Sequence, residues 1–149
     1  MRIRTVLTGL AMTAGMMLAG AGPAAAVAGP SAAADGIGTY RITFATGDLD
    51  NADTDDAVRV TFVGTTGSVD KRIERDFRRG EVYTYGPFTS PNAGTISQVY
   101  VTKSNEERDA WYLNYVQLHE QGTGWLFHCE ADVWFPQTGP KRLFSCVKA

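Results

Sequence analysis

Two cysteines and two histidines are all that this chain of 149 residues carries of the side chains most used in metal and nucleophilic sites. A multi-ligand zinc or iron–sulfur site needs more of either type close together, so His128 beside Cys129 is not enough. Excess positive charge is lacking too. Lys and Arg number 14 against 16 Asp and Glu, for a formal net charge of −2. Phosphate recognition needs clustered positive charge, so a general nucleic-acid binder is excluded. There is no Gly-x-Ser-x-Gly elbow, no His-Glu-x-x-His and no P-loop, which removes the commonest hydrolase and nucleotide-binding chemistries. Beyond the first 26 residues no apolar run is long enough for a membrane-spanning helix, and no long segment holds helical periodicity.

What is present begins with Arg2 and Arg4, an apolar stretch from Val6 to Ala19, and Pro23-Ala24-Ala25-Ala26. That order of basic, apolar and small residues is the pattern of a cleaved signal peptide. Residues 1–26 are therefore expected to leave, residues 27–38, rich in Ala, Gly and Pro, to form a disordered leader, and residues 39–149 to make one domain. Arg2 and Arg4 depart with the signal, which makes the mature domain more acidic. The expected location is extracellular, where two cysteines normally bridge. Cys129 and Cys146 lie equally far from the turn Pro136-Gln137-Thr138-Gly139-Pro140. Paired antiparallel strands flanking that turn would set them directly opposite, within bridging distance, so a cross-strand disulfide is expected.

From Tyr40 onward, short runs of β-branched and aromatic residues alternate with Gly, Pro, Asn, Asp and Ser clusters. Tyr40, Ile42 and Phe44 form one apolar face, and Val58, Val60 and Phe62 another. Further strands are predicted at Val82–Tyr85, Ile96–Thr102, Trp111–His119, Trp125–Phe135 and Arg142–Val147, with a glycine-rich hairpin turn at Gln121–Gly124. The apolar phase shifts between Leu113 and Val116, which suggests a bulge. Asp70 to Gly80 departs from the pattern: Ile73 and Phe77 stand four apart, as do Glu74 and Arg78, and Asp70 suits an N-cap, so a short helical turn is predicted. The class is all-β, a sandwich or small barrel.

The densest chemistry lies between the first two strands, where Asp48, Asp50, Asp53, Asp55 and Asp56 occur without a basic residue. Carboxylates so close repel unless solvated or neutralised, and hard oxygen donors suit Ca²⁺. An EF-hand register fails, because the twelfth position from Asp48 is Arg59, not a bidentate Glu. Two readings stand: a Ca²⁺ loop, or a solvated turn held by Asx-type bonds. Lys71, Arg72, Arg75, Arg78 and Arg79 form a basic cluster, read either as a patch for anionic partners or as solvated surface with local ion pairs.

Several segments together resemble the PLAT/LH2 domain. They are Tyr40 through Asp48, Ala52 through Val58, a strand ending at Gly64, Phe77-Arg78-Arg79-Gly80-Glu81, Gly94-Thr95-Ile96, Trp111-Tyr112-Leu113 with Val116, and Phe127-His128-Cys129 with Trp134. The resemblance spans about Thr39 to Phe135 and implies an antiparallel eight-stranded β-sandwich. It also implies a non-catalytic binding module that docks a protein or lipid partner, often with Ca²⁺. Carried over position by position, the family's metal loops imply Asp53, Thr54 and Asp55, then Asp76, then Asp109, with Asp48 and Asn105 nearby. Arg75 and Arg78 flank Asp76, so a guanidinium replacing the metal is the competing expectation.

Bilayer-inserting relatives expose aromatic residues at the loop tips. Here the tips are Leu49 and Ser104–Arg108, which makes peripheral membrane contact the lesser expectation. Trp111, Trp125 and Trp134 fall within predicted strands and are expected in the core. The whole is expected to act as a secreted, monomeric binding protein with Ca²⁺ as candidate cofactor and an extracellular protein or lipid partner. The alternative is a small secreted hydrolase or glycan-active enzyme working through two carboxylates. A triad from Ser104, Asp109 and His119 or His128 is the other catalytic arrangement these residue types permit.

Overall fold

The apolar faces at Tyr40–Phe44 and Val58–Phe62 become the facing interiors of two antiparallel sheets in the computed structural model, which describes residues 36–137 and 139–149. The expected signal peptide, 1–26, lies outside the described residues, as does the leader as far as residue 35. Among the described residues nine strands follow in order: β1 Ile37–Thr46, β2 Val58–Gly64, β3 Ser68–Ile73, β4 Val82–Pro91, β5 Ile96–Lys103, β6 Trp111–Glu120, β7 Trp125–Phe135, β8 Arg142–Ser145 and β9 Val147–Lys148. One sheet has the order β4-β1-β6-β7-β9 and the other β3-β2-β5-β8. Ile37 and Gly38, assigned from sequence to the leader, already belong to β1.

Side chains alternate across each strand, so every second residue enters the shared core. Tyr40, Ile42 and Phe44 of β1 face Val58, Val60 and Phe62 of β2, with Val99 and Val101 of β5 and Leu113, Val116 and Leu118 of β6 between them. Each such fully buried Val, Leu, Ile or Phe stabilises the fold by roughly 1.5–3 kcal/mol relative to exposure. Trp111 lies at the loop end of this core against Phe44, Phe77 and Phe135. Its Nε1–H donates to Thr46 Oγ1 at 3.1 Å, which satisfies the one polar atom of the buried indole.

The sandwich matches the expected class, with nine strands rather than eight. To the seven strands read from the sequence the structure adds β3, and Arg142–Val147, read as one strand, splits at Cys146. β8 pairs with β5 in one sheet and β9 pairs with β7 in the other. Phe127 opposite Lys148 and His128 opposite Val147 extend by one step to Cys129 opposite Cys146, whose Cα atoms lie 4.1 Å apart in the disulfide. The bulge in β6 falls between Leu113 and Tyr115, and the Gln121–Gly124 turn closes the β6–β7 hairpin.

Two local expectations are corrected. The helical turn at Asp70–Gly80 is replaced by strand β3 and an irregular segment: Val69 and Ile73 are buried on one face of β3, a period of two, and all six β3 residues pair with β2. Asp70 accepts from Arg59 and Thr61 on the outer face instead of capping a helix. β4, predicted to end at Tyr85, continues through the cis Gly86–Pro87 peptide to Pro91, with a register shift opposite Tyr40 and Ile42 accommodating the break in alternation. Of the three tryptophans, Trp111 is core and Trp125 half-buried, while Trp134 packs edge-on against Tyr112 with its own side chain 37% exposed.

Candidate functional site

Three connections converge at one end of the sandwich: Gly47–Ala57 between β1 and β2, Glu74–Glu81 between β3 and β4, and Ser104–Ala110 between β5 and β6. The first leaves β1 at Gly47, where a Cβ would run into the Tyr112 ring, so the chain needs glycine there. Thr54 and Phe77 exchange two backbone hydrogen bonds of 3.0 and 2.8 Å, which ties the first connection to the second. Phe77 buries its ring against Phe44 and Trp111 and so anchors both connections to the core.

The first and third connections are joined by carboxylates. Asp109 accepts from the Thr54 hydroxyl at 2.6 Å and from the Asp55 amide at 2.9 Å. Asp56 is buried and accepts from the Ser104 hydroxyl and the amides of Glu106 and Glu107. Lys103, fully buried at the end of β5, donates its ammonium to Asp56 and, at 2.9 Å, to Asp109. Burial by itself would raise the Asp56 pKa, but the bonds from Lys103, Ser104 and the two amides outweigh it and hold this carboxyl well below the usual range.

Asp55 has the opposite character. Its exposed carboxyl is pushed up, first by the charge of Asp76 and then by burial and the charges of Asp109, Asp53 and Asp56. It borders two open depressions. One, of about 320 Å³, is lined by Asp55, Ala57, Arg72, Glu74, Arg75, Asp76 and Glu106. The other, of about 610 Å³, is lined by Asn51, Asp53, Asp55, Glu107, Asp109, Ala110 and Gln137.

Of the residues singled out as metal ligands, Asp53, Asp55, Asp76 and Asp109 therefore share this end, and Thr54 lies beneath them as a donor to Asp109. Asp48 does not join them: it accepts from Arg79 at 2.7 Å, and Asp50 pairs with the same guanidinium. Asn105 is exposed on the third connection. Among the described residues, no three His, Cys, Asp or Glu side chains converge as a ready metal-binding group. The oxygen donors around Asp55 are of the kind a hard cation takes, but the guanidiniums of Arg72 and Arg75 line the same depression and Lys103 already pairs with Asp109, so the negative charge there is partly matched.

The Arg75 guanidinium does come to Asp76, donating from Nε to its backbone carbonyl at 2.7 Å and lining the depression beside the Asp55 and Asp76 carboxyls without an ion pair to either. Its ion pair is with Glu81 at 2.9 Å, and it lies 3.6 Å from the Tyr83 ring centroid. Much of the basic cluster is likewise spent in local ion pairs, with Arg72 against Glu74 and Glu106 and Arg79 against Asp48. Ser104 donates to Asp56 and accepts from the Ala57 amide, while His128 lies on the outer sheet face with Gln117 and Glu130, so the two do not form a triad.

Lys103, the buried partner of Asp56, is the residue at this end that the sequence reading did not single out. A signal was available: Lys103 stands in phase with Val99 and Val101 on the inward face of its strand.

A nine-stranded antiparallel sandwich with its chemistry on three connections at one end defines a β-sandwich domain with a loop-borne acidic site. The family profile of the PLAT/LH2 domain matches residues 40–142, and the chain belongs to that family. Among solved structures, a lipoxygenase superposes with a TM-score of 0.66 at 15% identity, over 74% of this chain and 16% of that one. A coral 8R-lipoxygenase, described as calcium-activated through a C2-like domain, gives 0.61 at 18% identity over 72% of this chain and 17% of its own. Alpha-toxin of Clostridium perfringens gives 0.55 at 16% identity over 78% and 33%. This chain thus spans about a sixth of the lipoxygenases and a third of the toxin, and the likeness is one of fold.

Proposed function

We propose that residues 39–149 work as an exported, monomeric, non-catalytic docking domain whose loop end binds an extracellular protein or lipid partner, with Ca²⁺ held by Asp53, Asp55 and Asp76 beside Thr54 and Asp109. The observation that carries this reading is the gathering of Asp53, Asp55, Asp76 and Asp109 from three connections around the two depressions at one end, where the charge of Asp76 foremost, then burial and the charges of Asp109 and Asp53, raise the Asp55 pKa. A bound Ca²⁺ would supply the missing positive charge and turn an acidic end into one able to meet an anionic group on a partner. Two relatives of the same fold support the choice of metal: the coral enzyme noted above and an 11R-lipoxygenase described as calcium-dependent, similar at 23% identity with a TM-score of 0.52. The Cys129–Cys146 disulfide agrees with export through residues 1–26 into an oxidising compartment.

A protein partner is favoured over a bilayer by the tips Leu49 and Ser104–Arg108, where Leu49 is the single exposed large apolar side chain, with Val82 and Trp134 exposed on the adjoining strand ends. Calorimetric titration with CaCl₂ tests the metal, with heat and a raised melting temperature expected at up to millimolar concentration. Co-sedimentation with anionic liposomes and capture from culture fluid, each with calcium or chelator, separate the two partner classes. Capture of a defined protein only in calcium supports the reading. Failure of both the calcium titration and calcium-dependent capture would end it.

A further inference from the structure

We infer that Lys103 is an internal cation that closes the loop end without a metal and limits how strongly calcium binds beside it. Lys103 sits opposite Val58 in the β2–β5 pairing, so its stem is carried into the core while its ammonium emerges between two connections. Both Lys103 and Asp56 side chains are fully buried. A buried charge left alone is very costly, so the pair and its hydrogen bonds form or fail together. Asp56 gathers Ser104, Glu106 and Glu107 of the third connection, and Asp109 gathers Thr54 and Asp55 of the first. The ammonium touches both carboxylates, so one fixed positive charge knits the two connections that a divalent ion would otherwise have to hold.

The charge also has a consequence for metal binding. Lys103 lies 2.9 Å from Asp109 Oδ1 and thus neutralises one of the carboxylates bordering the larger depression. A Ca²⁺ ion approaching Asp109 meets that ammonium directly, and one approaching Asp55 and Asp76 meets the guanidiniums of Arg72 and Arg75, which line the smaller depression with them. Lys103 therefore weakens any metal that takes Asp109 as a ligand. This second half rests on the calcium reading above; the closure half does not.

Amide hydrogen exchange of the purified protein, in chelator and in millimolar CaCl₂, tests both halves. In the wild type, the amides of Asp55, Glu106 and Glu107 are expected to be protected in chelator and little changed by calcium. In Lys103→Met, their exchange in chelator is expected to rise by more than about tenfold. Calcium should restore part of that protection, and its affinity for the variant should exceed the wild-type value by about tenfold, which a merely structural lysine would not produce. Lys103→Gln, which keeps a polar tip, provides the same test should the methionine variant not fold, and the wild-type comparison needs no variant.

Wild-type amides that are unprotected in chelator and closed only by calcium would overturn the inference, as would variants protected like the wild type without metal. A wild type that shows no calcium signal but keeps its loops closed in chelator sinks the calcium reading and upholds the internal cation.

Discussion

Single side chains at the loop end divide by the sign of their electrostatics. Asp55 is strained by its neighbours, so Asp55→Asn is expected to raise the melting temperature of the metal-free protein and to abolish the calcium-induced rise; scanning calorimetry in chelator and in CaCl₂ reads both. Asp70 and Glu81 behave oppositely. The Arg59 guanidinium lowers the Asp70 pKa, and at Glu81 the opposing effect of burial is outweighed by the Arg78 amide and Arg75. Both carboxyls therefore bind protons less readily when folded than when unfolded. Their stabilisation is complete above the ordinary carboxylate range near pH 4 and drains as pH falls through it. Melting curves should shift down by a few degrees between about pH 5 and pH 3. Arg59→Gln should lower the starting value and flatten part of the slope, and a slope unchanged by that substitution would contradict the assignment. Deeper in, Thr46→Val strands the Trp111 indole N–H in the core, with an expected loss of about 1–3 kcal/mol by denaturant titration.

At the scale of strands and connections, the last ten residues show how covalent and hydrogen-bonded structure share a task. β8 and β9 lie in different sheets, and the chain crosses between them at Cys146. The Cys129–Cys146 bridge fixes that crossing on β7, and the Cys146 amide donates to Ser97 of β5 at 2.8 Å, so both sheets are held at one point. Replacing both cysteines by alanine releases a loop with a sequence separation of 17 and is expected to cost about 3 kcal/mol.

The same region marks what could be read in advance. The equal distance of the two cysteines from the 136–140 turn anticipated their register, although the counting assumed that the flanking runs pair with each other and only β9, beyond Cys146, pairs with β7. That the intervening strand would pair with β5 was hidden, since a short amphipathic run looks alike in either sheet. The segment 70–80 misled for a related reason: Ile73 and Phe77 at four-residue spacing both reach the core, but through a strand end and an irregular bend. The five-Asp run pointed correctly to the loop end, yet could not show that Asp48 turns to Arg79 while Asp55 faces Asp76. Those choices depend on where the second connection passes.

Across the whole molecule, the sandwich is a rigid frame that brings three connections to one end. Their charges settle into two groups: a closed one around Lys103, Asp56 and Asp109, and an open one around Asp55, Asp76 and Asp53. The closed group shapes the end, and the open group is where the proposed cation would bind. Domain class, strand faces and disulfide were legible in the chain because they follow from periodicity and spacing. The division of the carboxylates was not, because it follows from the inward phase of one lysine. The most direct measurement is calorimetric titration of CaCl₂ into the wild-type protein and Asp55→Asn side by side. The account expects a heat signal with a raised melting temperature in the wild type, and neither in the variant. No heat and an unmoved melting temperature in the wild type at millimolar calcium would contradict it.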